Sequence, residues 1–245
     1  MKGIILAAGY ATRLHPLTKT KSKCLIEIKG KPIIRYIIDK MEKISEIDRI
    51  YIVANHKFAV DFEYYVKNLD SKKEIVVIDD QTESNDDRLG AVGDIAYVIE
   101  DTGIDDDLLV VAGDNLFESP LTKFANFCHE KNTSCVGSHK FRSKKDIAEK
   151  FGVLETDAAD KIIGFEEKPK EPKTNLVATA CYLFTKEDVK EIIDYKAKGN
   201  PLDNSGEFIK YLSEKKDIYS FVFKEKWYDI GSFEDLGRAR EEFKG

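Results

Sequence analysis

The sequence predicts an α/β fold, built on an open, mostly parallel sheet with helices on both of its faces. Three short apolar runs of strand length lie in the first third of the chain, at residues 3–7, 49–53 and 74–78. Between them, residues 32–44 and 57–69 repeat apolar side chains with the spacing of an amphipathic helix. Strands that alternate with helices at this spacing are typical of βαβ units, in which consecutive strands run parallel.

The rest of the chain continues the pattern and adds one hairpin. We expect strands at residues 108–112, 134–139, 151–154, 161–165, 177–184 and 218–223. We expect helices at residues 91–99, 120–131, 185–196, 202–214 and 233–243. Ser119, Thr185 and Ser232 each precede a helical stretch, so their side chains are expected to cap its N-terminus. The hairpin formed by residues 151–165 predicts a small β-rich insertion.

Length and composition exclude several classes of protein. A length of 245 residues, with 42% hydrophobic and 34% charged residues, is typical of one folded domain with a sizeable core. Its net charge of −6 argues against a general nucleic-acid surface. No apolar run approaches the about 18 residues of a membrane span, and no segment resembles a signal peptide. The four cysteines have no metal-ligand spacing, so we expect free thiols in a cytoplasmic protein.

The first strand opens into a turn whose chemistry suits a polyphosphate. Ala8 and Gly9 are small enough for backbone N–H groups to approach a ligand, while Arg13 and Lys23 supply two cations. The alternative is an ordinary strand-to-helix turn with two surface cations, and the chemistry of the turn alone does not separate the two. A dinucleotide site is disfavoured, because only Gly9 stands where a G-x-G-x-x-G turn needs three glycines.

Two groups of acidic residues flank the predicted strand at residues 108–112. Asp114 follows this strand, at the end where ligands bind in open α/β sheets, so it is a candidate Mg²⁺ ligand. Asp105, Asp106 and Asp107 precede the strand and belong to the opposite end of the sheet. We expect these three residues to form an exposed turn and not a metal site.

Five motifs spread over nearly the whole chain resemble those of one enzyme family. They are Leu6-Ala7-Ala8-Gly9-x-x-Thr12-Arg13-Leu14, Lys23, Gly113-Asp114-Asn115, Glu166-Glu167-Lys168-Pro169 and Trp227-Tyr228-Asp229-Ile230-Gly231. In this order they resemble the sugar-1-phosphate nucleotidyltransferases, or NDP-sugar pyrophosphorylases. The chain looks like a short, glucose-1-phosphate thymidylyltransferase-like form without a C-terminal β-helix, and the resemblance implies a Rossmann-like core. It departs from the family pattern at Ala11 and Ala180, where glycine is usual, and at Ser22, where proline is usual.

The resemblance implies a role for each residue that matches a motif. It assigns nucleotide binding to Leu6, Ala7, Ala8, Gly9, Thr12, Arg13, Lys23 and Gly90. It assigns sugar-phosphate binding to Gly152, Glu167, Lys168, Asn175 and Thr179. Mg²⁺ is the expected cofactor, held by Asp114 and Asp229, and the expected catalytic residues are Arg13, Lys23 and Asp114.

The reaction implied by the resemblance transfers a nucleoside monophosphate from a nucleoside triphosphate to a sugar 1-phosphate and releases pyrophosphate. Within a single domain, residues 1–140 and 215–245 would bind the nucleotide, and residues 141–214 would bind the sugar. Two alternatives stay open: cytidylyl transfer to a phosphorylated alcohol such as phosphocholine, and a catalytically silent relative that binds nucleotide-sugars. We expect no nucleic-acid or membrane partner. A homo-oligomer is an open alternative to a monomer, because relatives often form dimers or tetramers.

Overall fold

The structure is a computed structural model and describes residues 1–244. Its strands are β1 Lys2–Leu6, β2 Glu27–Ile28, β3 Lys31–Pro32, β4 Arg49–Ala54, β5 Glu74–Asp79, β6 Leu108–Ala112, β7 Asn115–Phe117, β8 Cys135–Lys140, β9 Gly152–Thr156, β10 Ile162–Glu167, β11 Leu176–Phe184, β12 Tyr219–Phe223 and β13 Trp227–Asp229. Its α-helices are α1 Ile33–Met41, α2 His56–Lys67, α3 Ala91–Thr102, α4 Leu121–Lys131, α5 Lys186–Ala197, α6 Ser205–Lys215 and α7 Phe233–Glu242.

The centre of the fold is a nine-stranded sheet whose middle strands are parallel. Seven strands follow one another in the order β10-β9-β11-β6-β1-β4-β5, and β8 and β12 extend from β11. Strand β1 is parallel to both of its neighbours, so that Ile4 lies between Tyr51 of β4 and Val110 of β6. Strand β11 runs antiparallel to β6. The predicted α/β fold with an open, largely parallel sheet is confirmed.

Helices cover both faces of this sheet because successive side chains of β1 point to opposite faces. Ile5 belongs to the cluster formed with α1, α2 and α4, and Ile4 belongs to the cluster formed with α3, α5 and α6. The apolar positions predicted for the first helix face the sheet: Ile34, Ile37, Ile38 and Met41. Strands buried on both faces need apolar residues at consecutive positions, which explains the unbroken apolar runs in the sequence.

The C-terminal segment returns to the opening turn. Strand β13 pairs antiparallel with β7, which brings Asp229 beside Asn115. Helix α7 then packs Leu236 into a small apolar cluster with Leu14 and Ile230. Two segments from opposite ends of the chain therefore meet beside the end of β6.

The predicted hairpin is formed by β9 and β10 and joins an edge of the main sheet. Strand β9 meets β11 at one residue pair, Val153 and Val177, before the two strands diverge. The hairpin thus forms a wall that stands beside the carboxyl edge of the central strands.

The composition predicted free cysteines and no membrane-spanning segment. All four cysteines are free, as predicted, and all four are buried. None of the helices described within residues 1–244 is both long enough and apolar enough to cross a bilayer.

One of the three predicted helix caps is confirmed and two are wrong. The Ser232 side chain accepts a hydrogen bond from the Asp235 N–H at the start of α7. The side chains of Ser119 and Thr185 accept no such bond. The Ser119 hydroxyl donates to Glu225 instead, and the Thr185 hydroxyl donates to the Asp188 side chain. In both cases an ionised acceptor competes successfully for the hydroxyl, because charge-assisted hydrogen bonds are the stronger ones.

Candidate active site

Two adjoining cavities lie at the carboxyl edge of the parallel strands, beside the ends of β1 and β6. The first cavity, of about 240 Å³, lies between the turn after β1 and the start of α3. The second cavity, of about 220 Å³, is bounded by β9, β10 and β11. The two share six lining residues: Ala91, Ala112, Asp114, Ala180, Asp203 and Ser205. Ligands bind at this edge in open α/β sheets, and ligands in the two cavities would meet near Asp114.

The first cavity contains most of the residues predicted to bind a nucleotide. Those that line it are Leu6, Ala7, Ala8, Gly9, Lys23 and Gly90. Thr12 and Arg13 do not line it, because they lie in a short 3₁₀ turn, Thr12–Leu14, with both side chains exposed. Only Leu14 of that turn points into the protein.

An ion pair with little exposure joins Lys23 to Asp114 at the boundary of the two cavities. Lys23 Nζ donates to Asp114 Oδ2 at 2.5 Å, and the two side chains are 15% and 24% exposed. Burial by itself would lower the pKa of Lys23, but the charges of Asp114 and then of Asp229 outweigh burial, and the pKa is raised. The ammonium group is therefore charged at neutral pH and fixed in position.

A chain of hydrogen bonds orients Asp114 from its other side. Asp114 Oδ1 accepts a bond from Asn115 Nδ2 at 2.8 Å, and Asn115 in turn accepts a bond from the indole N–H of Trp227. Asn115 is buried. Since both partners of the carboxylate are themselves held in place, Asp114 has one defined orientation.

Asp229 reaches the same place from the other end of the chain. Burial, followed by the charge of Asp114, raises the pKa of Asp229 to about 7, while the charges of Lys23 and Arg13 oppose the rise. The site holds two carboxyl groups that repel each other and only one ammonium group. When both carboxyl groups are ionised, the site therefore has a net negative charge. This donor set of carboxylate oxygens fits a hard divalent cation such as Mg²⁺.

The second cavity contains four of the five residues predicted to bind a sugar phosphate: Gly152, Glu167, Lys168 and Thr179. Lys168 Nζ lies 3.3 Å from Glu167 Oε1, and the Lys168 side chain is 47% exposed. The Thr179 hydroxyl already donates to the Gly137 carbonyl at 2.9 Å. Lys168 and Glu167 are therefore the polar groups of this set that remain accessible to a ligand.

Asn175 is the predicted residue that does not line this cavity. The side-chain amide of Asn175 donates to the backbone carbonyl of Phe141. The backbone carbonyl of Asn175 accepts a bond from the Phe141 N–H at 2.9 Å. Asn175 therefore ties the start of β11 to the end of β8.

The Phe165 ring lies between two glycines of the second cavity. A Cβ atom added to Gly152 would lie 2.4 Å from Phe165 Cζ, and one added to Gly206 would lie 2.2 Å from the same atom. Any side chain at either position would push the ring aside. Gly152, to which the resemblance assigns sugar-phosphate binding, is therefore also required for the packing of Phe165.

Ala11 and Ala180 replace two family glycines and keep the backbone conformation that glycine favours. Their φ angles are +48° and +49°, in the left-handed region. Ala180 lines both cavities, and the register of β11 against β8 shifts between Ala178 and Tyr182. The two alanines therefore adopt a backbone conformation that glycine adopts more easily, at a cost of about 1 kcal/mol each relative to glycine.

The segment just before α6 is hydrogen-bonded to the first turn of α3, a contact that the sequence did not predict. The N–H groups of Ala91 and Val92 donate to the carbonyls of Asp203 and Leu202 at 3.0 and 2.9 Å. Gly90 allows this approach, because its φ is +81° and an added Cβ would lie 2.4 Å from Asp203 Cα. Residues 202–204 were predicted as helix, but α6 begins only at Ser205.

Two further aspartates in the first cavity were missed. Asp80 and Asp94 line it and are buried. Asp80 belonged to a polar loop and Asp94 to a predicted helix, and neither matched a motif. The one available signal was an aspartate at Asp94 within an otherwise apolar helical stretch.

The sheet topology and the position of the cavities define the class of open α/β proteins with a ligand crevice at the carboxyl edge of the sheet. Comparison with known proteins gives the family. The family model described as nucleotidyl transferase matches residues 2–244. The chain belongs to the nucleotidyl transferase family, as the sequence motifs predicted.

Individual relatives are similar along almost the full length of this chain. A Sulfolobus acidocaldarius protein with the provisional name mannose-1-phosphate guanyltransferase is 31% identical over 99% of this chain and 63% of its own length. A UTP–glucose-1-phosphate uridylyltransferase of a Synechocystis species is 29% identical over 98% of this chain and 62% of its own length. The chain therefore spans less than two thirds of the curated relatives it matches.

A solved structure with the same architecture is provisionally described as a glucose-1-phosphate thymidylyltransferase from Bacillus anthracis, in complex with sucrose. It is 25% identical and superposes with a TM-score of 0.79, over 98% of this chain and 94% of that one.

Proposed function

We propose that the protein transfers a nucleoside monophosphate from a nucleoside triphosphate to a sugar 1-phosphate. The observation that carries the proposal is the junction of two cavities at Asp114, where a largely buried lysine and a second aspartate converge. A reaction between two phosphorylated substrates needs two such pockets with a charged boundary. The family and the names of the relatives, which specify transfer to sugar 1-phosphates, support the same reaction.

The reaction needs neutralisation of charge and alignment more than proton transfer. An oxygen of the sugar 1-phosphate forms a bond to the α-phosphorus, and the bond from the α-phosphorus to the oxygen bridging to the β-phosphorus breaks. The leaving pyrophosphate keeps the electron pair of that bond. The attacking oxygen is already ionised at neutral pH, so that no general base is required, and placing two anions in line supplies most of the rate.

Lys23 is assigned to the α-phosphate and Arg13 to the leaving phosphates. The ammonium of Lys23 is charged and fixed, and it faces the first cavity beside Leu6, Ala7 and Gly9. Arg13 lies outside that cavity on an exposed turn, so its assignment requires that its long side chain swing inward over a bound nucleotide. Small residues after β1 let backbone N–H groups approach the phosphates.

Asp114 and Asp229 are the residues that would hold Mg²⁺. When bound, the ion supplies positive charge to the phosphate oxygens of the nucleotide. Asp114 is already oriented by Asn115, and Asp229 is brought beside it by the pairing of β13 with β7. The two carboxylates therefore need no large rearrangement to act together.

The second cavity is assigned to the phosphorylated acceptor. Lys168 and the neighbouring Lys150 offer cations to its phosphate, while Glu167 can accept hydrogen bonds from sugar hydroxyls. In this division residues 141–214 would supply most acceptor contacts, and residues 1–140 and 215–245 would supply the nucleotide contacts.

One observation favours testing phosphocholine as a second acceptor. Four aromatic residues line the second cavity alongside Glu167: Phe151, Phe165, Tyr182 and Trp227. Aromatic faces near a carboxylate suit a quaternary ammonium group. A cytidylyltransferase for phosphocholine is therefore the second candidate.

Small charged substrates and four free, buried thiols fit a cytoplasmic protein. The proposed partners are thus a nucleoside triphosphate and a phosphorylated acceptor.

Release of pyrophosphate tests the proposal. The assay crosses five nucleoside triphosphates with a panel of sugar 1-phosphates plus phosphocholine, with and without Mg²⁺. We expect one nucleotide and one sugar 1-phosphate to give strong, Mg²⁺-dependent release. Strong release with phosphocholine and CTP would select the second candidate. A folded protein that binds nucleotide and releases no pyrophosphate in any combination would be a silent binding protein.

A further inference from the structure

One neutral polar side chain of the second cavity, that of Asn204, has no protein partner in the described part of the chain. The neutral residues with a hydroxyl or an amide that line this cavity are Asn115, Thr179, Tyr182, Asn204 and Ser205. The amide of Asn115 accepts from the Trp227 indole, and the Thr179 hydroxyl donates to the Gly137 carbonyl. The hydroxyls of Tyr182 and Ser205 bond each other at 2.7 Å. Among the five, the Asn204 amide is the group that remains for a ligand.

Asn204 occupies the N-cap position of α6, where an asparagine usually accepts a hydrogen bond from an N–H of the first helical turn. Its backbone has φ −112° and ψ 124°, but its side chain accepts no such bond. In α2, by contrast, Asn55 occupies the same position, and its side chain accepts a bond from the Phe58 N–H at 3.2 Å. The amide of Asn204 is therefore not used to cap its helix.

The neighbours of Asn204 hold its backbone in place beside the cavity. The Asp203 carbonyl accepts a bond from the Ala91 N–H at 3.0 Å, at the start of α3. On the other side, the Ser205 hydroxyl is bonded to Tyr182 of β11. Because both adjacent residues are tied to other elements, the Asn204 side chain has a fixed point of attachment at the cavity wall.

The carboxylate of Glu167 lies at the same end of α6. A Cβ atom added to Gly206 would lie 2.8 Å from Glu167 Oε2, and one added to Gly152 would lie 3.1 Å from the same oxygen. The other oxygen, Oε1, lies 3.3 Å from Lys168 Nζ. Glu167 Oε2 therefore lies beside the first turn of α6, which Asn204 precedes. The carboxylate can only accept hydrogen bonds, whereas the amide can both donate and accept them.

We propose that Asn204 is a specificity-determining residue for the acceptor, and that Asn204 and Glu167 together bind hydroxyl groups of a sugar 1-phosphate. One sugar hydroxyl donates to Glu167 Oε2, and another accepts a bond from the Asn204 amide. The choline group of phosphocholine has neither a free hydroxyl nor an N–H, so it would leave both side chains without a partner. The inference rests on the proposed function for the position of the acceptor in the second cavity.

Removal of single hydroxyl groups from the acceptor tests the inference. The acceptors are glucose 1-phosphate, mannose 1-phosphate and derivatives that lack the hydroxyl at carbon 2, 3, 4 or 6. For each of them, kcat/KM for pyrophosphate release is compared between the unaltered protein and Asn204→Ala. Calorimetric titration of the same compounds gives the comparison without turnover. Since the Asn204 side chain does not cap α6, we expect both proteins to unfold at the same temperature.

In the unaltered protein, we expect the loss of the hydroxyl bound by Asn204 to lower kcat/KM about 10-fold. Asn204→Ala should cause a similar loss for the complete sugar and none for the derivative without that hydroxyl. The ratio of kcat/KM between these two acceptors should therefore fall to about 1, while the ratios for the other derivatives stay unchanged.

Asn200→Ala is the matched control. It removes a hydrogen bond to the Tyr195 carbonyl in the same segment, but Asn200 does not line the second cavity. Any loss that this variant causes should therefore be equal for all acceptors.

An Asn204→Ala variant that changes kcat/KM by one common factor for all acceptors would overturn the inference and leave the proposed function intact. Pyrophosphate release with phosphocholine, and none with either sugar 1-phosphate, would overturn the inference and select the second candidate. Binding of a sugar 1-phosphate with the expected dependence on Asn204, but without pyrophosphate release, would uphold the inference and remove the proposed reaction.

Discussion

At the scale of single residues, charge dominates the candidate active site. Lys23 keeps a raised pKa despite burial, because Asp114 and Asp229 surround it. Burial, followed by the charge of Asp114, raises the pKa of Asp229 to about 7, and the charge of Lys23 opposes this rise. The site therefore has one carboxyl group in excess, and a divalent cation bound with the anionic substrates would rebalance its charge.

The first prediction concerns Asp114, the residue shared by both cavities. Asp114→Asn keeps the size of the side chain but removes its charge, so we expect kcat to fall about 10²-fold or more. Steady-state pyrophosphate release at saturating Mg²⁺ measures the effect. Asp105→Asn is the matched control, because that exposed aspartate lies at the opposite end of β6 and pairs with Lys186. Unchanged Mg²⁺-dependent turnover in Asp114→Asn would contradict the metal assignment.

The second prediction separates the two substrates. Lys168→Ala removes a cation of the second cavity, so we expect the KM for the phosphorylated acceptor to rise by at least about 10-fold, with a smaller change in the KM for the nucleotide. Lys170→Ala should change neither constant, since that exposed lysine lies outside the cavity. Equal changes in both KM values would place Lys168 elsewhere in the reaction.

At the scale of secondary-structure elements, α6 and the β9–β10 hairpin form the wall of the second cavity. Their contact is the edge of the Phe165 ring, which fits between Gly152 and Gly206. Ser205 and Gly206 at the start of α6 line the cavity as a result. The shape of the second cavity therefore depends on the absence of side chains at Gly152 and Gly206.

Gly206→Ala tests this contact. The added methyl group would collide with Phe165, and we expect a loss of about 1–3 kcal/mol in the free energy of unfolding together with a higher KM for the acceptor. Urea denaturation and acceptor titrations provide the two measurements. In the control Gly237→Ala, the new Cβ on α7 would meet no atom within 4 Å, so we expect no loss of stability. If both variants are equally stable and active, the ring can move aside and the contact does not shape the pocket.

At the scale of the whole molecule, the stability of the fold should depend on pH through Asp94. Burial and the neighbouring Asp80 raise the pKa of Asp94 to about 8, whereas an unfolded aspartate titrates near 3.8. Between these pH values the folded protein holds a proton that the unfolded chain releases. Asp94 therefore makes its full contribution to the free energy of unfolding below about pH 4. This contribution is lost as the pH rises to about 8.

We expect the loss over the whole range to be as large as about 6 kcal/mol, at about 1.4 kcal/mol for each unit of pKa difference. Urea denaturation at pH 5, 7 and 8.5 measures it. Asp94→Asn has no proton to lose, so its stability should fall less over this range than that of the unaltered protein, and Asp86→Asn should follow the unaltered protein. Parallel curves for the unaltered protein and Asp94→Asn would show that Asp94 titrates normally.

Much of the fold was readable from local patterns, because periodicity and strand length depend on neighbours in the sequence. The strand at Leu108–Ala112 was predicted to the residue, and α3 was predicted to start at Ala91 as observed. The residues that cap the helices were harder to predict from the sequence. Ser232 caps α7, whereas Ser119 bonds Glu225 more than a hundred residues away. A helix cap can be predicted from the local sequence only when no group distant in the sequence competes for the hydroxyl.

The sequence by itself determined the order of the α-helices and of the nine strands of the main sheet, the family, and the residues at the ends of β1 and β6, because each depends on a short continuous segment. It did not predict the short strands β2, β3, β7 and β13. Only the tertiary structure decided which of these residues share a cavity. It leaves Arg13 exposed, uses Asn175 to tie β11 to β8, and brings Asp80 and Asp94 together from two elements. Distances between such segments follow from the packing of the whole sheet, and packing depends on all of the chain at once.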